Sequence, residues 1–85
     1  MDYKVIAQEY IDQSGSNGIV LPSATQPYEM QLFYGIDTVE EAKSVWQESC
    51  RLYDKYLSDA MGKLTARRRL ALVLTRAREL SFAIE

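Results

Sequence analysis

The most regular pattern of apolar and polar positions runs from Thr38 to Met61. Glu41 follows Thr38 at the spacing of a capping box, in which hydroxyl and carboxylate each bind an unpaired backbone N–H at the start of a helix. Apolar residues then cover about half of the helical circumference. Because one neighbouring helix cannot bury a stripe that wide, the helix 38–61 is predicted to contact both ends of the chain and to organise the fold.

A second helix is predicted over 64–84. Gly62 interrupts the preceding pattern, and Thr65 is a candidate N-cap. Because the connection is short, the helices 38–61 and 64–84 are predicted to pack as an antiparallel hairpin. The second helix carries its apolar residues in a narrow stripe, spaced by three or four positions: Leu70, Val73, Leu74, Ala77, Leu80 and Ile84.

The N-terminal part of the chain is less regular. Residues 2–14 show the spacing of one helical face, with Asp2 as a candidate cap. A β-strand is the alternative, because the first residues are β-prone, but helix is favoured. Residues 15–37 contain three of the four glycines and both prolines, so they are predicted to be a loop with short extended or β segments. The alternative there is a helical turn that Pro27 opens and Gly35 closes.

These elements predict one domain, 1–85, of mainly α class: an antiparallel helical hairpin with an N-terminal helix and a short extended or β segment. The alternative is a small α+β fold with an N-terminal β-meander. A chain of 85 residues has a modest core, and a homo-oligomer is expected because a subunit interface adds stability. The single Cys50 has no partner for an intramolecular disulfide and is predicted to be a small core residue.

The residue types limit the possible chemistry. The chain has no histidine, which removes the most common general base and zinc ligand. It also has no phosphate-binding glycine loop. No catalytic residue, metal or cofactor is therefore expected, and the protein is predicted not to be an enzyme. Because the chain opens without a signal-peptide pattern and contains no run of 18 apolar residues, a cytoplasmic protein without a membrane partner is expected.

Basic residues are concentrated towards the C-terminus. Residues 1–62 carry four basic and ten acidic side chains, whereas residues 63–85 carry six basic and two acidic ones. Two apolar residues of the last helix, Leu72 and Phe82, lie outside its narrow stripe and are predicted to contact another subunit. An arginine presents a planar fork of donors that matches phosphate and carboxylate groups. Five arginines are therefore candidates for binding an anion or a partner: Arg67, Arg68, Arg69, Arg76 and Arg78.

Pairing within the chain is the alternative for these arginines. A hairpin centred on Gly62 sets Asp59 level with residues 67–69 and Glu48 level with residues 76–78. Exposed ion pairs of this kind contribute roughly 0.2–1 kcal/mol each. In that case the basic face is paired or solvated and has no ligand.

The C-terminal helix resembles the second hairpin helix of phage cyclic-nucleotide sponges, over roughly the last third of the chain. The resemblance implies a short N-terminal element, a long helical hairpin, assembly into oligomers, and sequestration of signalling nucleotides at subunit interfaces. The aromatic and lysine pair expected to clamp a nucleotide has no assigned position, although Tyr3 with Lys4 or Tyr10 are available residue types. The similar residues are Arg68, Leu72, Leu74, Thr75, Arg76 and Glu79, followed by Phe82 and Ala83.

The function predicted from these features is binding without catalysis. The leading hypothesis is a small regulator of phage or mobile-element anti-defence type, which inhibits or sequesters an acidic protein surface or a nucleotide through its arginine-rich helix. One alternative is a nucleic-acid-binding helical protein, which the net charge of −2 and the pI near 5.1 disfavour. The other alternative is a structural subunit of a larger assembly.

Overall fold

The computed structural model describes residues 2–13, 31 and 33–84. Within these ranges the chain forms three complete helices, which are α1 (Tyr3–Gln13), α2 (Val39–Lys55) and α3 (Ala60–Glu79), and no strand. Residues 31, 33 and 34 are also helical, and the Gly35 N–H donates to the Gln31 carbonyl at 2.9 Å, as the predicted alternative of a helical turn closed by Gly35 requires. The prediction of a mainly helical fold is therefore confirmed. Residues 14–30 lie outside the described part, and with them most of the predicted extended or β segment.

The first helix begins as the sequence predicts. The Asp2 carboxylate accepts hydrogen bonds from the backbone N–H groups of Lys4 (3.1 Å) and Val5 (3.3 Å), which caps the first turn. α1 buries Ala7 and packs against α3. Helix is thus confirmed over strand for this segment.

The predicted capping box at the start of α2 is formed in part. The Thr38 hydroxyl accepts from the Glu41 backbone N–H at 3.1 Å, as predicted. The Glu41 carboxylate binds this hydroxyl at 3.0 Å, so its partner is the Thr38 side chain and not a backbone N–H. α2 buries one narrow stripe at spacings of four and three residues: Ala42, Trp46, Ser49 and Tyr53.

The connection between α2 and α3, residues 56–59, is earlier and longer than the predicted connection, residues 62–63. Asp59 caps α3 by accepting from the N–H groups of Met61 (3.1 Å) and Gly62 (3.4 Å). Gly62 therefore lies in the first turn of α3 and is not the elbow of the hairpin. A methyl group added to Gly62 would lie 2.8 Å from Tyr56 Cβ, so the close approach of Tyr56 explains the glycine.

α3 is the central helix, because both α1 and α2 pack against it. This corrects the prediction that helix 38–61 organises the fold. The run from Leu70 to Leu74 is buried at every position, and a helix that is apolar all round belongs inside a protein. The buried residues of α3 are Ala66, Leu70, Ala71, Leu72, Val73, Leu74 and Ala77.

α3 ends at Glu79, before the predicted end at residue 84. The N–H of Ser81 donates to the carbonyl of Arg78 (3.2 Å) and that of Phe82 to the carbonyl of Ala77 (3.0 Å), which is a Schellman motif. Ser81 adopts the left-handed conformation, with φ of 61°. This turn directs the tail back onto the molecule, where Ile84 is buried in the core.

Candidate anion-binding site

Arg76 is held inside its own chain. Its side chain is 16% exposed, and its Nε donates to the buried Ile36 carbonyl at 3.0 Å. The guanidinium also lies over the rings of Phe33 and Tyr34, with its carbon 5.4 and 5.8 Å from the ring centroids. Arg76 therefore fastens the segment before α2 to the last turns of α3.

Two carboxylates complete the surroundings of Arg76. Its terminal nitrogens lie 3.5 Å from Asp37 Oδ1 and 3.3 Å from Glu79 Oε2. Glu48, which was predicted to lie near this arginine, instead pairs with Arg51 on α2. This placement corrects the expectation that Arg76 faces solvent or a partner.

The arginines at 67, 68 and 69 do not form an open cationic face, because all three are half-buried. The Nε of Arg67 is buried and has no hydrogen-bond partner among the described residues. Glu48 and Arg69 line the same small cleft, so Glu48 lies level with Arg69 and not with Arg76. The register differs from the predicted one because α3, capped by Asp59, starts at Ala60 and not at residue 64.

Arg78 is the exposed arginine of the five. Its guanidinium donates to Gln8 Oε1 on α1, and Gln8 Nε2 in turn donates to Asp12 Oδ1 at 2.9 Å. The direct partner of Arg78 is thus a neutral amide. Within the described part of the chain, Arg78 forms no ion pair, so its charge is not neutralised by direct contact.

Arg78 lines a groove of about 370 Å³ between the start of α1 and the end of α3. The second cation of the groove is Lys4, in the first turn of α1. The volume is within the range of small-molecule sites, which is roughly 300–1,000 Å³. The remaining lining is mostly apolar: Leu74, Ser81, Phe82, Ala83 and Ile84.

The two residues predicted to form a subunit interface lie in different environments. Leu72 is 1% exposed, so the structure places it in the interior, which corrects its prediction as a contact with another subunit. Phe82 is half-buried, packs against the core and lines the groove beside Arg78. The sequence analysis named Arg78 as an anion-binding candidate and Phe82 as an interface residue, and it named Lys4 only as an available residue type for a nucleotide clamp.

The residue before Lys4 anchors α1. The Tyr3 hydroxyl donates to both carboxylate oxygens of Asp54 at 2.7 Å, and its ring meets that of Tyr53 edge to face at 6.2 Å. The hydrogen bond to Asp54, followed by burial, raises the pKa of Tyr3 to about 12. Burial, followed by the charge of Asp54, raises the pKa of the nearby Cys50 thiol to about 11.

Comparison with known proteins found no matching protein family, curated protein or solved structure. Within residues 2–13, 31 and 33–84, no three potential metal-ligating side chains come together. None of the helices in these ranges has the length and apolar content needed to cross a lipid bilayer. The function must therefore be argued from the groove itself.

Proposed function

We propose that this chain is a small, non-catalytic binding protein that captures an anion with an apolar body in the groove between α1 and α3. The observation that supports the proposal is the shared placement of Lys4 and Arg78 on a groove with a mostly apolar lining. Neither Lys4 nor Arg78 forms an ion pair within the described residues, so both cations can attract an anion. Apolar lining residues favour a ligand that also removes apolar surface from water.

Arg78 has unused hydrogen-bond donors that can bind such a ligand. One of its terminal nitrogens is bound to Gln8, and the other guanidinium nitrogens make no hydrogen bond within the described residues. A guanidinium binds phosphate or carboxylate groups through paired hydrogen bonds. Lys4 adds a mobile point charge from the opposite side of the groove.

The ligand class to test first is a nucleotide. Its phosphate suits Lys4 and Arg78, and its base suits Leu74 and Phe82, which line the same groove. The sequence resemblance to cyclic-nucleotide sponges favours the same class. The corresponding role is a cytoplasmic regulator of anti-defence type that sequesters its ligand without converting it.

Binding along a nucleic-acid backbone has less support. Four of the five candidate arginines are half-buried, so few cations remain to line up with successive phosphates. On duplex DNA, each phosphate contact contributes about −0.9 to the slope of log affinity against log salt concentration. A protein that uses only Lys4 and Arg78 would show a shallow salt dependence.

The proposal is tested by native mass spectrometry of freshly purified protein, followed by titration with adenosine monophosphate. We expect either a co-purified anionic ligand or saturable binding of the added nucleotide. The double variant Lys4→Gln with Arg78→Gln should bind at least about tenfold more weakly, because each lost charged hydrogen bond contributes roughly 1.5–3 kcal/mol.

The matched control is Arg51→Gln, which removes an arginine that pairs with Glu48 on the exposed side of α2. This variant should bind as the unmodified protein does. The proposal fails if Lys4→Gln with Arg78→Gln binds as tightly as Arg51→Gln, or if the unmodified protein shows neither a co-purified ligand nor nucleotide binding.

A further inference from the structure

Three polar side chains of α1 share one face of the helix. Lys4, Gln8 and Asp12 follow one another at intervals of four residues, which places them in a row along α1. Lys4 lines the groove, and Gln8 accepts a hydrogen bond from Arg78 of α3. Asp12 accepts from the Gln8 amide nitrogen at 2.9 Å. The row therefore leads from a cation of the groove, through a neutral amide, to an acid outside the lining of the groove.

The two partners of Gln8 require one orientation of its amide. A guanidinium has donors only, and a carboxylate has acceptors only. With its oxygen towards Arg78 and its nitrogen towards Asp12, the amide satisfies both neighbours. The reverse orientation would set donor against donor at Arg78 and acceptor against acceptor at Asp12. The carboxylate of Asp12 thus fixes which end of the amide meets Arg78.

A neutral partner holds Arg78 without cancelling its charge. Lys4 and Asp12 are eight residues apart, or about 12 Å along the helix axis, which exceeds the screening length of about 8 Å at physiological salt. The negative charge of Asp12 therefore acts only weakly on a ligand in the groove. A carboxylate at residue 8, in contrast, would contact the Arg78 guanidinium directly.

We propose that Gln8 and Asp12 are positioning residues for anion binding at Arg78. Asp12 orients and polarises the Gln8 amide, and the amide oxygen holds the guanidinium at the groove while its other donors remain for a ligand. A side chain that is already held in place loses less conformational entropy when the ligand binds. This inference rests on the proposed function, because it assigns Gln8 and Asp12 to the same groove.

The alternative is a structural role, in which Gln8 and Asp12 only stabilise α1 and its contact with α3. Gln8→Glu separates the two roles, because the introduced carboxylate still links α1 to Arg78 but neutralises the cation. Adenosine monophosphate should bind at least about tenfold more weakly to this variant. The matched control is Gln47→Glu, which adds the same charge at an exposed position of α2 and should bind as the unmodified protein does.

Asp12→Asn tests the second residue, with an effect opposite to that of charge alone. Removal of an acid favours anion binding, but an amide at residue 12 can donate as well as accept and no longer requires one orientation of Gln8. We expect adenosine monophosphate to bind about two- to tenfold more weakly, which is the effect of one lost hydrogen bond. Glu9→Gln removes the same charge from an exposed position of α1 and should bind no more weakly than the unmodified protein.

The side-chain amide signal of Gln8 in proton–nitrogen NMR spectra tests the network without a ligand. This signal, assigned by its loss in Gln8→Glu, should shift in both Asp12→Asn and Arg78→Gln and stay in place in Arg51→Gln. Circular dichroism melting checks that each variant is folded.

An unchanged Gln8 signal in Asp12→Asn and Arg78→Gln overturns the proposal. Nucleotide binding by Gln8→Glu or Asp12→Asn that is as tight as binding by the matched control also overturns it. Absence of nucleotide binding by the unmodified protein contradicts the proposed function instead, and the Gln8 signal then still decides for or against the network of Asp12, Gln8 and Arg78.

Discussion

Arg76 and Arg78 stand two residues apart in α3 and have different surroundings. Arg76 donates to a buried carbonyl and lies against two aromatic rings, whereas Arg78 reaches a neutral amide at the surface. The Asp37 and Glu79 carboxylates near Arg76 are largely exposed, so their ion pairs add little stability. The hydrogen bond to the Ile36 carbonyl is the larger contribution, because an unsatisfied buried acceptor costs about 1–3 kcal/mol.

The hydrogen bond from Tyr3 to Asp54 predicts a stability change at alkaline pH. Because the pKa of Tyr3 is raised to about 12 in the folded state, from an ordinary value near 10, the unfolded chain loses this proton first. The stability from this group is complete below pH 10 and is lost as the pH rises towards 12. Tyr3→Phe should therefore show a smaller fall in melting temperature between pH 9 and pH 11 than the unmodified protein.

The matched control for Tyr3→Phe is Tyr34→Phe, because Tyr34 is exposed and its hydroxyl makes no hydrogen bond within the described residues. Tyr34→Phe should follow the unmodified protein across the same pH range. An equal response of the two variants would show that the bond to Asp54 has no part in the alkaline loss of stability.

At the scale of the element, the first turn of α3 depends on Gly62. Glycine usually weakens a helix by about 1 kcal/mol relative to alanine. Here an added methyl would overlap with the Tyr56 side chain, and overpacking typically costs about 1–3 kcal/mol. Gly62→Ala should therefore lower the free energy of unfolding, as measured with urea, despite its better helix propensity.

The sign of this effect should reverse when the obstruction is removed. In a Tyr56→Gly background, Gly62→Ala should raise the free energy of unfolding by up to about 1 kcal/mol, because only the helix propensity remains. Destabilisation of the same size in both backgrounds would mean that contact with Tyr56 is not the reason for the glycine.

The starts of α1 and α2 have a local sequence signal and could be predicted. The start and the end of α3 could not. Asp2 and Thr38 have side chains of the usual capping type directly before a periodic segment. Asp59 is also a capping residue, but the apolar pattern continues past it to Met61 and hides the boundary. Ser81 gives no signal at all, because glycine is the usual residue at the left-handed position of a Schellman motif.

At the scale of the whole molecule, the hairpin was predictable and its central helix was not. The wide apolar stripe of helix 38–61 favoured it as the central helix, although several residues at the edges of this stripe are only half-buried. The continuous apolar run 70–74 was the better indicator of the centre. The groove could not be predicted either. Lys4 and Arg78 are separated by nearly the whole chain, so no local spacing relates them.

Under the proposed function, α3 carries one arginine for structure, Arg76, and one for binding, Arg78. Urea unfolding of Arg76→Gln and Arg78→Gln, measured side by side, tests this assignment most directly. Arg76→Gln should lose about 1–3 kcal/mol of unfolding free energy, and Arg78→Gln less than about 0.5 kcal/mol. An equal or larger loss in Arg78→Gln would make Arg78 a structural residue and would remove the available cation on which the binding groove depends.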